Sequence, residues 1–115
     1  MYAVIFEVEP SEGRADDYLR FAADLRPELE KIDGFLSIER FRSLSQEGKI
    51  LSLSFWRDEE AIRHWREHER HRAAQRAGRG GIFADYRIRV AAIIRDYTMS
   101  ERGEALQPPP ETLSS

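Results

Sequence analysis

Apolar positions recur along this chain at two periods, and the switches between them mark out six elements. Over Met1–Val8, Tyr2, Val4, Phe6 and Val8 alternate with Ala3, Ile5 and Glu7. That period of two predicts a strand, and apolar residues on both of its faces predict a central one. Pro10, Ser11, Glu12 and Gly13 break it. From Arg14 to Ile32, Ala15, Tyr18, Leu19, Ala22, Leu25, Leu29 and Ile32 keep helical spacing, with Pro27 expected to bend the helix or restart its last turn. Asp33 and Gly34 make a turn. Phe35–Ser43 then alternates Leu36, Ile38 and Arg40 against Phe35, Ser37, Glu39 and Phe41, a second strand. Gln46, Glu47 and Gly48 read as a hairpin loop before Ile50–Trp56, which sets Leu51, Leu53 and Phe55 against Ser52, Ser54 and Trp56. Strands two and three are expected to pair antiparallel.

A second helix starts at Asp58, a good N-cap followed by Glu59 and Glu60 where the helix dipole favours anions. Its apolar stripe of Ala61, Ile62 and Trp65 gives way to Glu69 and Arg72. On an adjacent stripe His64, His68, His71 and Gln75 stack along one side. Gly78, Gly80 and Gly81 are expected to end the helix. In the last strand, Tyr86–Tyr97, Ile88, Val90, Ala92 and Ile94 alternate with Arg89, Ala91, Ile93 and Arg95. The sequence then turns polar and carries Pro108, Pro109 and Pro110, which predicts one domain over residues 1–100 and a mobile tail over 101–115.

The order strand, helix, strand, strand, helix, strand predicts an α+β, ferredoxin-like βαββαβ fold, with both helices on one face of a four-stranded antiparallel sheet. Because the first and last strands are apolar on both faces, the uncovered face needs a partner, most simply a second copy packed sheet to sheet. The alternative is that the segment around Tyr97 folds back over that face.

Composition narrows the function. The 115 residues are 41% hydrophobic and 34% charged, ordinary for a globular domain, and no run approaches the roughly 20 apolar residues of a membrane helix. No leader peptide is visible after Met1, so a cytoplasmic location is expected. The lack of cysteine excludes disulfides, thiolate metal sites and thiol nucleophiles. A net charge of -3 argues against nucleic acid, which selects basic surfaces. Arg63, Arg66, Arg70, Arg72, Arg76 and Arg79 read as a solvated face interleaved with Glu67 and Glu69, with an anion-attracting pocket mouth as the functional alternative.

The run F-W-R-D-E-E-A-I-R-H-W at 55–65, H-x-x-H-x-x-A-Q-x-x-G-R at 68–79 and R-D-Y-T-M at 95–99 resembles the antibiotic biosynthesis monooxygenase family. The resemblance covers about residues 1 to 100. It implies a ferredoxin-like domain that dimerises into an α+β barrel, with a pocket between helices and sheet in each subunit. It also implies cofactor-independent oxygenation of a small aromatic or polycyclic phenol or quinol, or degradation of haem. The haem-degrading branch uses an asparagine on the first strand, a tryptophan on the second helix and a histidine ten residues later. Trp65 matches the tryptophan, but Gln75 stands at the histidine position and the chain contains no asparagine, so haem is disfavoured. Without cofactor, His68 is the candidate general base, since a phenolate reacts with O2 far more readily than its acid. Trp65 is the candidate stacking wall, and Arg72, Gln75 and His71 are polar substrate contacts. Each has a plainer reading: Trp65 as core, His68 as a boundary residue bonded to a carboxylate or backbone, Arg72 as a surface partner of Glu69. His64, His68 and His71 lack a third ligand set, so no metal is expected. A non-catalytic small-molecule binding or stress-response protein on the same scaffold is the competing function.

Overall fold

A computed structural model describes residues 1–75 and 81–101, the side chains of 71–75 excepted. The elements are β1 (Tyr2–Pro10), α1 (Ala15–Glu30), β2 (Phe35–Arg42), β3 (Ile50–Trp56), α2 (Glu59–Gln75) and β4 (Phe83–Ala92). The sheet runs β2-β3-β1-β4 with every pair antiparallel, the split βαβ arrangement the element order predicts. The predicted tail and the helix-ending Gly78 and Gly80 lie outside the described residues.

β1 is central, as its two apolar faces require. Its residues Val4 and Phe6 sit opposite Ser54 and Ser52 on β3 and opposite Val90 and Ile88 on β4. Because strand side chains alternate faces, this register puts Tyr2, Val4, Phe6 and Val8 on the helix side together with Ile50, Ser52, Ser54 and Trp56. α1 buries Tyr18, Ala22, Leu25 and Leu29, a three- and four-residue spacing that aims one stripe at the sheet. Pro27 lies on the exposed side and the helix passes through it to Glu30 without a restart. One core cluster joins Leu25 and Leu29 to Trp56, Ala61, Ile62 and Trp65; a second joins Tyr18 to Val8, Ile50 and Ile82.

Two expectations are corrected. The register shifts between Phe35 and Ser37, so Phe35 pairs with Trp56 and turns to the helix side, where their rings meet edge to face at 5.3 Å. Leu36, expected beside Ile38, is left exposed; an extra residue in one strand flips the alternation before it. The last strand also lies earlier than Tyr86–Tyr97. It pairs with β1 from Phe83, and the ladder ends where β1 has no more residues to offer, with the Ile93 amide reaching the Met1 carbonyl at 3.0 Å. Ile94 and Met99 then stand exposed, so this segment does not bury itself over the sheet. On the face away from the helices, Ile5, Leu51, Leu53 and Phe55 stay half-buried. There Glu7 pairs with Lys49 at 2.8 Å and with Arg89, and those hydrogen bonds hold its carboxyl below the usual range.

The position of α2 is set at one junction. Asp58 caps it, its carboxylate accepting from the Ala61 amide at 2.9 Å. Arg57 forks onto Asp33 at 3.1 and 3.2 Å, reaches Asp58 at 3.0 Å, and donates its amide to the Gly34 carbonyl at 2.7 Å. The turn after α1 is thereby tied to the start of α2. Gly34 is required twice over, since it adopts φ +97° and a Cβ there would stand 2.7 Å from the Ala61 Cβ. Gly13, at φ +75°, faces open space. Gly34→Ala should therefore destabilise the protein by on the order of 2 kcal/mol or more, strain plus clash, and Gly13→Ala by clearly less. Denaturant titration of the two variants checks this; equal losses would mean that the contact with Ala61 carries no weight.

Candidate functional site

The apolar stripe of Ala61, Ile62 and Trp65 on α2 gives way to Glu69, while the sheet beneath continues to β4. The result is a cleft of about 1310 Å³ between the two helices and the sheet. α1 lines it with Tyr18, Phe21, Ala22, Leu25 and Leu29; β1 and β4 supply Val4, Phe6, Phe83, Tyr86, Ile88 and Val90. Phe6, Phe83 and Tyr86 form an aromatic group with centroids 5.6 to 6.1 Å apart, and Tyr18 meets Phe83 at 5.8 Å. Tyr86, Ile88 and Val90 are roughly half exposed, because neither helix closes over β4. Apolar and aromatic walls of this kind characterise small-molecule sites, and α2 sets charged residues such as Glu59, Arg66 and Arg70 against them.

Trp65 sits where core and cleft meet. It belongs to the core with Leu25, Leu29 and Trp56, and it also borders the cleft. His68 lies one turn on, toward α1. Its ring stacks on Trp65 at 5.5 Å and 28°, and its Nε2 meets the Glu28 carboxylate at 3.1 Å. It is therefore held in the carboxylate-bonded arrangement of its plainer reading, and it is not among the residues lining the cleft. His71, Arg72 and Gln75 occupy the last turns of α2, and their side chains lie outside the described residues.

Of the titratable groups of α2 that line the cleft, among them Glu59, Glu60 and Glu67, Glu69 stands one turn on from Trp65. Its accessible surface is that of an exposed residue because the cleft opens to water, yet the surrounding wall crowds its carboxyl. That crowding governs its proton: desolvation pushes the carboxyl up to about 7, against the pull of Arg66, His68 and a hydrogen bond from the Trp65 indole. The rim of α2 is otherwise a solvated network, with Arg63 bonded to Glu67 at 3.1 Å and near Glu60 at 3.7 Å, as its alternating charges predict.

The cleft floor is polar where strands two and three cross it. Ser52 and Ser54 are both 6% exposed, and the Trp56 indole donates to Ser54 Oγ at 2.9 Å. Arg40 also lines the cleft, and its Nε is buried without a hydrogen-bond partner. Sequence reasoning did not select Glu69, Arg40 or the serines. The signal was present for two of the three, since Arg40 shares a strand face with Ile38, and the serines share one with Ile50 and Trp56.

Among the described residues no group of three or more His, Asp or Glu is placed to hold a metal ion, and no helix is long and apolar enough to cross a membrane.

Comparison with known proteins agrees with this geometry. The family model for antibiotic biosynthesis monooxygenases matches residues 1–77. The chain is 48% identical over 101 residues to a Pyricularia oryzae protein named jasmonate monooxygenase, covering 88% of this chain but 47% of that one. The chain thus spans about half the length of that relative. It is 35% identical over 106 residues to the uncharacterized Bacillus subtilis protein YqjZ, covering 87% of this chain and 85% of that one. Among solved structures, a Deinococcus radiodurans protein described as an antibiotic biosynthesis monooxygenase superposes with a TM-score of 0.71 at 17% identity, over 86% of this chain and 98% of that one. The haem degrader MhuD of Mycobacterium tuberculosis superposes at 0.69 and 16% identity, over 85% and 100%. The two structures share the fold; the family model and the two sequence relatives carry the further conclusion that this chain belongs to the antibiotic biosynthesis monooxygenase family.

Proposed function

We propose that the protein is a cytoplasmic, homodimeric monooxygenase that oxidises a small ring-bearing molecule in the helix-sheet cleft without a metal or organic cofactor. The observation that carries this reading is the cleft itself, walled by Phe6, Phe83, Tyr86 and Trp65 with the Glu69 carboxyl on the same lining, where crowding pushes it up to about 7. Such a group takes a proton near neutral pH, as a general base must. Trp65 and the Phe6–Phe83–Tyr86 group are the stacking surfaces. Removing a proton from an acidic ring carbon or phenol leaves an electron-rich anion that O2 oxidises directly. Conversion of a ring CH2 to C=O by O2 releases one water, and the substrate supplies all the electrons.

His68, the base expected from the sequence, becomes a positioning residue: braced by Glu28, its ring backs the indole that donates to Glu69. Arg72, Gln75 and His71 are proposed as substrate contacts at the cleft mouth from their place on the last turns of α2. The Pyricularia oryzae relative's name extends the substrate range of this proposal from aromatic rings to jasmonate. Haem fits the described residues poorly, since His68 Nε2 is engaged by Glu28 and the ring stands outside the cleft lining. For the dimer, the support is the half-buried apolar face of Ile5, Leu51, Leu53 and Phe55, on the side of the sheet away from both described helices.

Oxygen uptake is expected above background with at least one member of a panel of anthrones, quinols and jasmonate; binding without uptake would favour the non-catalytic alternative. Glu69→Gln should lower kcat/KM about a hundredfold and abolish its rise through pH 7. Stability should move oppositely. Between the ordinary value of 4.5 and about 7 the folded protein keeps a proton that the unfolded chain has released, so stability falls as pH rises across that window. Glu69→Gln removes this slope and should melt above the parent beyond pH 7; matching melting curves at every pH would refute the raised carboxyl. Sedimentation at micromolar concentration should give a dimer, and a monomer there would exclude sheet-to-sheet pairing.

A further inference from the structure

The cleft floor carries a second feature that the oxidation does not use. Across the sheet, Arg40 on β2 sits opposite Ser52 on β3, Ser52 opposite Phe6 on β1, and Phe6 opposite Ile88 on β4. All four line the cleft, so one transverse row runs from a cation through a hydroxyl to two apolar side chains. Three strand spacings separate its ends, roughly 14 Å.

Arg40 is the unusual member. Its Nε is buried with no hydrogen-bond partner, and among the described residues its guanidinium makes no ion pair. A buried guanidinium N–H left unpaired costs free energy that a ligand oxygen would recover, and charge-assisted bonds to a carboxylate are the strongest available. The carboxylates of α2 do not supply that partner. Glu60 and Glu67 are taken up by Arg63, the cations acting on Glu69 are Arg66 and His68, and among the described residues neither Glu59 nor Glu69 makes an ion pair with Arg40. The hydroxyl of Ser52, next to Arg40 in the row, makes no hydrogen bond to a described residue and has a proton to donate. On the other side of the row, the aromatic group of Phe6, Phe83 and Tyr86 carries no charge.

We infer that Arg40 and Ser52 form an anion subsite, and that the ligand of this cleft is an amphipathic organic carboxylate whose acid group binds at Arg40 while its ring lies over Phe6 and β4. This deepens the proposed function and rests on its assignment of the cleft as the substrate site. Binding can be read without oxygen chemistry, so failure of the subsite and failure of the oxygenase are separable.

The test uses two fluorescent probes of similar body, anionic anilinonaphthalene sulfonate and neutral phenylnaphthylamine, followed by competition with naphthaleneacetate and its methyl ester. The parent protein should bind the sulfonate about tenfold or more tighter than the neutral probe, and naphthaleneacetate should displace it at a concentration at least tenfold below its ester. Arg40→Gln should erase both preferences while leaving affinity for the neutral probe unchanged, which also reports that the cleft is intact. Arg40→Lys should keep part of the preference, and Ser52→Ala should weaken the anions alone by severalfold. Equal binding of charged and neutral probes by the parent, an anion preference that survives Arg40→Gln, or no binding of either probe would each overturn the subsite, whatever the oxygen-uptake result.

Discussion

The register of β1 between β3 and β4 is the constraint on which the rest of this structure depends. Side chains alternate faces with a period of two, so this one alignment decides at once that Val4, Phe6, Ser52, Ser54, Ile88 and Val90 face the helices while Ile5, Leu51, Leu53 and Phe55 face away. A slip by one residue would put Glu7 and Arg89 under the helices and expose Phe6. The pairing of Glu7 with Arg89 and Lys49 on the outer face opposes that slip, because charges that are matched there would be unmatched and desolvated inside.

A second constraint acts on the helix side. Arg57 ties the turn at Asp33 and Gly34 to the cap at Asp58, so α2 leaves the sheet from a fixed point. From there its first two turns pack through Ala61, Ile62 and Trp65, and the described side chains beyond them, Arg66 to Arg70, are all charged or polar. The cleft is the consequence. It is room that a longer apolar stripe would have filled, floored by a sheet that extends under it to β4. The proposed chemistry and the proposed anion subsite both occupy that room, with Glu69 on the helical wall and Arg40 on the sheet floor.

Much of this was legible in the chain. The element order, the central place of β1, the hairpin between β2 and β3 and the Asp58 cap all follow from local signals, each written within a few residues. The errors came where a distant partner decides. Phe35 and Leu36 exchange faces because a bulge forms against Trp56, and β4 stops at Ala92 because β1 begins at Tyr2, although its own alternation continues. His68 drew attention as a titratable group at the end of an apolar stripe. Its environment is set by Glu28, forty residues earlier on another helix. Glu69 looked like one more charge on a charged helix, and nothing local distinguishes a carboxyl crowded by a cleft wall from one in open water.

By itself, then, the sequence determined the fold class, the elements and the end of the apolar stripe after Trp65, since periodicity, capping and turn chemistry act between near neighbours. Only the tertiary structure decided which polar groups share the cleft. Arg40, Ser52 and Phe6 stand in one row because strands far apart in sequence pair in a particular register, and Glu69 departs from an ordinary glutamate because of the wall around it. Burial and electrostatic environment are properties of what surrounds a group in space, and for these residues the surroundings come from other segments of the chain. The second helix with its three histidines suggested the site; the alternation of two plain strands supplies its floor.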